Sequence, residues 1–324
     1  MENINNLYDK ETLVKMVSSM LRYFDNQENK DEIIKAAQIL MTRIKESSDK
    51  VELDSELLES ILFTQNEDGT KNVVKDVFFG LKSIGTDMSG VSFDNVHISG
   101  LYFNNLKNVE IDVDKIPNKD ISRTSFNGVK INGSLEGAKV NGTDFSGYIG
   151  NLTLNPQMVQ DKNLCRTYLK GIIVNGSFDG VCVIGMHTEG FKGEIIINPE
   201  KVKDKNLSYI NFEGVRLVGR YDEKNNTYEG ACFDDCSISG CSFKGCIGRV
   251  LINLDKIVPV LILTNLTGTE LIGTGEYVNT SGTYYEDEDG KKIYLDKKDK
   301  LESQEKVKNH KSIFAKLKSK IYSK

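Results

Sequence analysis

Apolar residues recur along this chain with two periods, and the period changes near residue 85. Before that point the spacing is helical. Leu13, Met16, Val17, Met20, Leu21 and Phe24 fall on one helical face, with Asp9 or Thr12 placed to cap it. After a polar break over 26–31, Ile33, Ala37, Leu40, Met41 and Ile44 form a second stripe. Leu57, Leu58, Ile61 and Leu62 form a third, and Val73, Val74, Val77, Phe78 and Leu81 a fourth. Stripes of this kind pack into a core. Residues 1–84 therefore predict a helical N-terminal domain, which can complete its core by docking on the repeats after residue 85.

From residue 86 the apolar positions step by five. Met88, Phe93, Ile98 and Phe103 are preceded, two residues earlier, by Thr86, Val91, Val96 and Leu101. Phe233, Ile238 and Phe243 repeat the pattern behind Ala231, Cys236 and Cys241. A step of five fits neither an α-helix nor a long strand. A longer repeat overlies it. Val109-Glu-Ile-Asp, Leu152-Thr-Leu-Asn and Ile195-Ile-Ile-Asn are spaced by 43 residues, and Val250-Leu-Ile-Asn comes after an insertion of about 12 near 221–230. Phe126, Leu169 and Phe212 share the 43-residue spacing. Repeats of this regularity imply stacked units, each burying its neighbour's apolar side.

Ala231-Cys-Phe-Asp-Asp, Cys236-Ser-Ile-Ser-Gly and Cys241-Ser-Phe-Lys-Gly resemble the pentapeptide-repeat family, as does Val91–Asn105 with larger residues in the small position. The resemblance covers roughly 86–280. It implies a mainly β fold, a right-handed quadrilateral β-helix over 85–283, with four five-residue faces per coil. The central Phe, Leu or Ile and the residue two before it would point inward. Phe93, Phe103, Phe126, Leu169, Phe212, Phe233, Ile238 and Phe243 are then expected core residues. Asn132-Gly133, Asn141-Gly142 and Asn175-Gly176 suit tight corners. A 43-residue unit amounts to two coils plus a short excess, placed in joints at 112–120, 155–163, 198–206 and 254–259. All four prolines fall in these joints, where a missing ladder N–H is tolerated. The joints depart from the family's strict fives and are expected to bulge. About nine coils at ~4.8 Å would make a rod roughly 45 Å long.

Charge divides the chain again. Residues 1–84 are net −5, 85–283 net −4, 284–290 net −4 and 291–324 net +8. A body of that charge is not expected to bind nucleic acid directly. The domain reading is 1–84, 85–283 and an acidic-then-basic tail, 284–324. In the tail, Ile313, Phe314, Leu317 and Ile321 share a helical face beside Lys316, Lys318, Lys320 and Lys324, the pattern of a basic amphipathic helix. No apolar run reaches 18 residues and the first residues lack a signal-peptide pattern, so a cytoplasmic protein with reduced thiols is expected.

Candidate chemistry is sparse. His97, His187 and His310 stand apart. Cys232, Cys236, Cys241 and Cys246 follow the coil period rather than zinc spacing, which makes Cys236, Cys241 and Cys246 small inward fillers. No nucleophile elbow, phosphate loop or zincin motif occurs. No catalytic residue, cofactor or metal is expected. The favoured reading is a non-enzymatic scaffold that binds a protein partner, with the insertion (Tyr221, Asp222, Glu223, Tyr228) and the tail (Phe314, Lys316, Lys318, Lys320) as candidate contacts. A homo-oligomer and an anionic surface met by the tail stay open. The resemblance supplies the alternative, a DNA mimic that binds DNA gyrase or topoisomerase and protects against quinolones. The weak body charge and the helical N-terminal region count against it. A β-helix carbohydrate-active enzyme is a remote third reading.

Overall fold

Parallel pairing between segments about one coil apart makes the body a β-solenoid of about eight turns. The structure is a computed structural model, and it describes residues 6–22, 30–222, 227–228 and 230–295. The chain divides into two compact units. The first is Met1–Gly176 with Glu189–Gly193, and the second is Ser177–Thr188 with Glu194–Lys324.

The first unit opens with β1 (Leu7–Asp9) and α1 (Lys10–Leu21). Asp9 caps α1, its carboxylate accepting from Thr12 N at 2.7 Å and Thr12 Oγ1 at 2.8 Å. Then come α2 (Lys30–Glu46), β2 (Lys50–Glu52), α3 (Ser55–Leu62), β3 (Phe63–Gln65), β4 (Lys71–Val73) and α4 (Lys75–Ser83). The stripes face inward: Leu13, Met16, Val17, Met20, Ile33, Ala37, Leu40 and Ile44 are buried, with all of the third and fourth stripes. Leu21 is exposed and Met41 half-buried, because the α1 and α2 stripes are narrower than their spacing suggests. Phe24 lies outside the described residues. The four short strands were not expected. β1 pairs antiparallel with β2 and β3 with β4, and β4 pairs parallel with β5 (Val96–His97) in the first coil. Phe63 meets Phe93, and Phe78 meets Phe103, each edge to face at 5.5 Å. The helical segment thus closes its core on the end of the solenoid.

Inward positions carry two ladders. Phe103, Phe126 and Phe145 stack in successive turns at 6.2 and 5.8 Å, and Phe212 stacks on Phe243 at 5.0 Å in the second unit. Beside them runs a buried threonine ladder. Thr124, Thr143 and Thr167 donate their hydroxyls to Ile98 O, Ile121 O and Val140 O of the preceding turn. In the second unit Thr264 and Thr283 do the same to Ile238 O and Leu261 O. Cys241 takes the equivalent place, its thiol donating to Leu207 O at 3.0 Å.

The 43-residue repeat is an alternation of shorter and longer turns. Ser125 pairs with Asp144, and Asp144 with Tyr168. The extra residues wind into 3₁₀ turns at Val113–Lys115, Pro117–Lys119, Gln160–Lys162 and Lys203–Lys205. The last residue of each four-residue motif starts the detour. Oδ1 of Asp112, Asn155, Asn198 and Asn253 accepts from the backbone N–H two residues on, at 3.0–3.1 Å. The insertion is an antiparallel pair, Tyr221–Asp222 with Thr227–Tyr228. Arg216 consequently pairs with Ile247, whereas Lys130, with no insertion, pairs with Ile149.

One corner alternates a long side chain with glycine. In the first unit Arg123 (φ 57°) covers Gly142 (φ 73°); a Cβ on that glycine would lie 3.2 Å from Arg123 Cγ. In the second unit Tyr209 (φ 65°) covers Gly240 (φ 71°), where a Cβ would overlap the ring. Leu263 (φ 52°) likewise covers Gly282.

Candidate interaction surface

The outward positions of the solenoid are mostly polar and satisfied locally. Acids and bases of adjacent turns pair: Lys115 with Asp94 at 3.0 Å, Lys130 with Glu110 at 2.9 Å and Lys139 with Asp120 at 3.2 Å in the first unit. In the second, Lys256 pairs with Asp234 at 3.0 Å and Arg249 with Glu270 at 2.8 Å, and Lys244 reaches across one turn to Glu286 at 2.6 Å. Such exposed pairs are worth about 0–1 kcal/mol each. Their effect here is to cancel charge along the faces. Burial pushes the Asp120 carboxyl up, but the Ser122 hydroxyl, the Ser122 N–H and Lys139 together hold it below the usual range. Hydrogen bonds from Thr274 and Gly275 N–H groups lower the Asp255 carboxyl.

Single apolar side chains break this rule at several places, Ile149, Tyr209 and Ile247 among them, and one stretch of the second unit breaks it as a group. Val258, Val260 and Leu263 are 38%, 43% and 67% exposed, and Ile262 is half-buried. Val260 pairs with Asn279, and Leu263 N donates to Ser281 O at 3.0 Å, so the next turn lies directly alongside. That turn adds Tyr277, 85% exposed. Equivalent places elsewhere are Asp120, Ser122 and Arg123, or Asn206, Ser208 and Tyr209. There the Asp or Asn side chain accepts from the serine N–H at 3.0 and 3.1 Å. Val260 can make no such bond. Leu263 also holds a left-handed backbone, which costs a non-glycine residue about 1–2 kcal/mol. Leu263 shares its left-handed backbone with Arg123 and Tyr209 and covers Gly282 as they cover Gly142 and Gly240, so the corner sets its position; the corner does not require its apolar character beside Val258, Val260 and Tyr277.

Beside this patch is a hollow of about 490 Å³ between Glu276–Ser281 and Leu295. Leu295 ends the described chain there. Its N–H donates to Thr283 O at 2.9 Å, and its carbonyl accepts from Thr280 Oγ1 at 2.6 Å. The hairpin Tyr284–Glu286 with Lys292–Tyr294 stands next to it.

Of the residues singled out from sequence, Phe93, Phe103, Phe126, Leu169, Phe212, Phe233, Ile238 and Phe243 are all buried. Tyr221, Asp222 and Tyr228 lie in the paired insertion. Glu223, Phe314, Lys316, Lys318, Lys320 and His310 lie outside the described residues. His97 is exposed, with Nε2 3.3 Å from Thr70 Oγ1, and His187 is half-buried. Cys236 and Cys241 are buried; Cys246, expected to be buried with them, is half-exposed. Cys232, Cys236, Cys241 and Cys246 are free thiols. Burial raises the Cys232 and Cys246 thiols and pushes those of Cys236 and Cys241 up to about 12. High thiol pKa values make poor nucleophiles at neutral pH.

Sequence reasoning misses the patch because the five-residue step draws attention only to the inward positions of Ile257–Leu263. The signal is present all the same: a run of six apolar residues broken only by Pro259, where a five-residue step needs two. Among the described residues no group of three or more His, Cys, Asp or Glu is placed to hold a metal, and no helix is long and apolar enough to cross a membrane. No protein-family model matches this chain, and no curated protein matches it.

Proposed function

We propose that this chain is a non-enzymatic scaffold that binds a protein partner through the exposed face around Val258, Val260, Leu263 and Tyr277. Its solenoid is taken to be the right-handed, four-sided coil of the pentapeptide-repeat family, with residues 1–84 as a helical cap; residues 284–295, read from sequence as the start of a tail, pair with the last turns instead. The observation that carries the reading is Leu263. It is 67% exposed, it stands where the equivalent corner carries Arg123 or Tyr209, and its neighbours Val260 and Ile262 are apolar where the repeat elsewhere has Asp120 or Asn206 and Ser122 or Ser208. A large apolar side chain kept in water at such a site points to a surface covered by a partner.

The DNA-mimic reading draws less support. A mimic needs rows of uncompensated negative charge, whereas acids on these faces pair with Lys or Arg of the next turn. The sequence offers no nucleophile elbow, phosphate loop or zincin motif to support an enzyme reading.

Affinity capture from the native host, followed by reconstitution with purified partner, tests the reading. The expected result is a complex lost on Val260→Asp/Leu263→Asp with the fold intact. A gyrase supercoiling assay run alongside is expected to show no effect. Inhibition of gyrase by the wild type and by the double variant alike would replace the scaffold reading with the mimic.

A further inference from the structure

We infer that the apolar patch is covered in the isolated chain by the chain's own C-terminal segment, 312–324, which a partner must displace. This rests on the reading of the patch as a docking surface. Three observations identify the occupant. The described chain ends at Leu295, pinned between Thr280 and Thr283 at the hollow beside Tyr277. The described chain therefore ends beside the hollow next to Tyr277. The residues from 296 to 311, at about 3.4 Å each when extended, reach well past the few turns involved.

The second observation is chemical fit. The patch offers two valines, a leucine and a tyrosine along adjacent turns. The segment offers Ile313, Phe314, Leu317 and Ile321 at helical spacing, a stripe of matching kind. The third is charge. Exposed Glu276 borders Tyr277, and exposed Glu288 and Asp289 stand in the neighbouring hairpin. Residues 291–324 are net +8, with Lys316, Lys318, Lys320 and Lys324 flanking the stripe. A basic amphipathic segment laid on the patch would bury its apolar face and bring its ammonium groups toward these carboxylates.

The chain contains no Trp, so one indole reports on the site without background. Tyr277→Trp in the full-length chain is the reporter. With the segment seated, its emission is blue-shifted from that of solvent-exposed Trp and its quenching by acrylamide is reduced. Adding Phe314→Asp/Leu317→Asp should move the emission to the exposed value, with the thermal transition unchanged. The shift should also be independent of protein concentration. Exposed-type emission in the full-length reporter would overturn the proposal. So would a blue shift unchanged by the tail substitutions. A blue shift that grows with concentration would assign the patch to a second copy instead. Partner affinity separates this from the parent reading. If the tail covers the docking site, Phe314→Asp/Leu317→Asp strengthens partner binding severalfold. If partner binding is lost on Val260→Asp/Leu263→Asp but indifferent to the tail, the docking surface stands and the tail is not its cover.

Discussion

Cys241 fills a threonine's place in the buried ladder, donating to Leu207 O as Thr264 donates to Ile238 O. Cys241→Thr should therefore fold normally. Burial pushes the Cys236 and Cys241 thiols from 9.0 up to about 12. The native state holds these protons more tightly than the unfolded chain does. Their contribution is complete below about pH 9 and is lost as pH rises toward 12. Alkaline denaturation of a Cys236→Ala/Cys241→Thr variant should begin at higher pH than that of the wild type; an unchanged midpoint would show that these thiols do not drive it. The phenylalanine ladder gives a larger effect. Phe126 is fully buried and stacks on Phe103 and Phe145. Phe126→Ala should cost about 3–5 kcal/mol in chemical denaturation. A loss below about 1 kcal/mol would mean that the ring is not in the core.

Among the elements, the corner that pairs a long side chain with a glycine carries a sharper test. Gly240→Ala places a methyl on a left-handed backbone and against the Tyr209 ring, so it should destabilise by more than the roughly 1–2 kcal/mol of the backbone term alone. In a Tyr209→Ala background the clash is gone and only the backbone term should remain. Strict additivity of the two substitutions in a double-mutant cycle would show that the ring and the methyl do not meet. Much of this level is legible in the sequence, because periods of five and 43 are imposed by packing inside each turn. The helix stripes are legible for the same reason. The strands β1–β4 are not: each is three residues long and exists through its pairing partner. Nor is the threonine ladder, since Thr124, Thr143 and Thr167 look like ordinary polar residues until their hydroxyls meet the turn before. The joints are visible as excess residues and prolines, but their winding into 3₁₀ turns is not: only Val113–Lys115 begins at a side-chain cap, Asp112, and the turns at Pro117, Gln160 and Lys203 have none.

For the whole molecule, the candidate site is less legible than the fold. The sequence draws attention to the insertion and the basic tail, where charge and composition stand out. The patch at Val258–Leu263 emerges only when inward and outward positions are separated, because along the bare sequence its valines and leucine look like core. Once separated, they are the outward residues that break the polar and charge-balanced pattern of the turns around them. That break is proposed to be a binding surface. It is probed most simply by the affinity of the reconstituted partner for the wild-type chain and for Val260→Asp/Leu263→Asp, by calorimetry at matched salt. Both substitutions replace exposed apolar groups with charge, so circular dichroism and the thermal transition should change little. Partner affinity is expected to fall at least tenfold, about 1.4 kcal/mol. Equal affinity for the two proteins, with both folded, would mean that the patch is not where the partner binds.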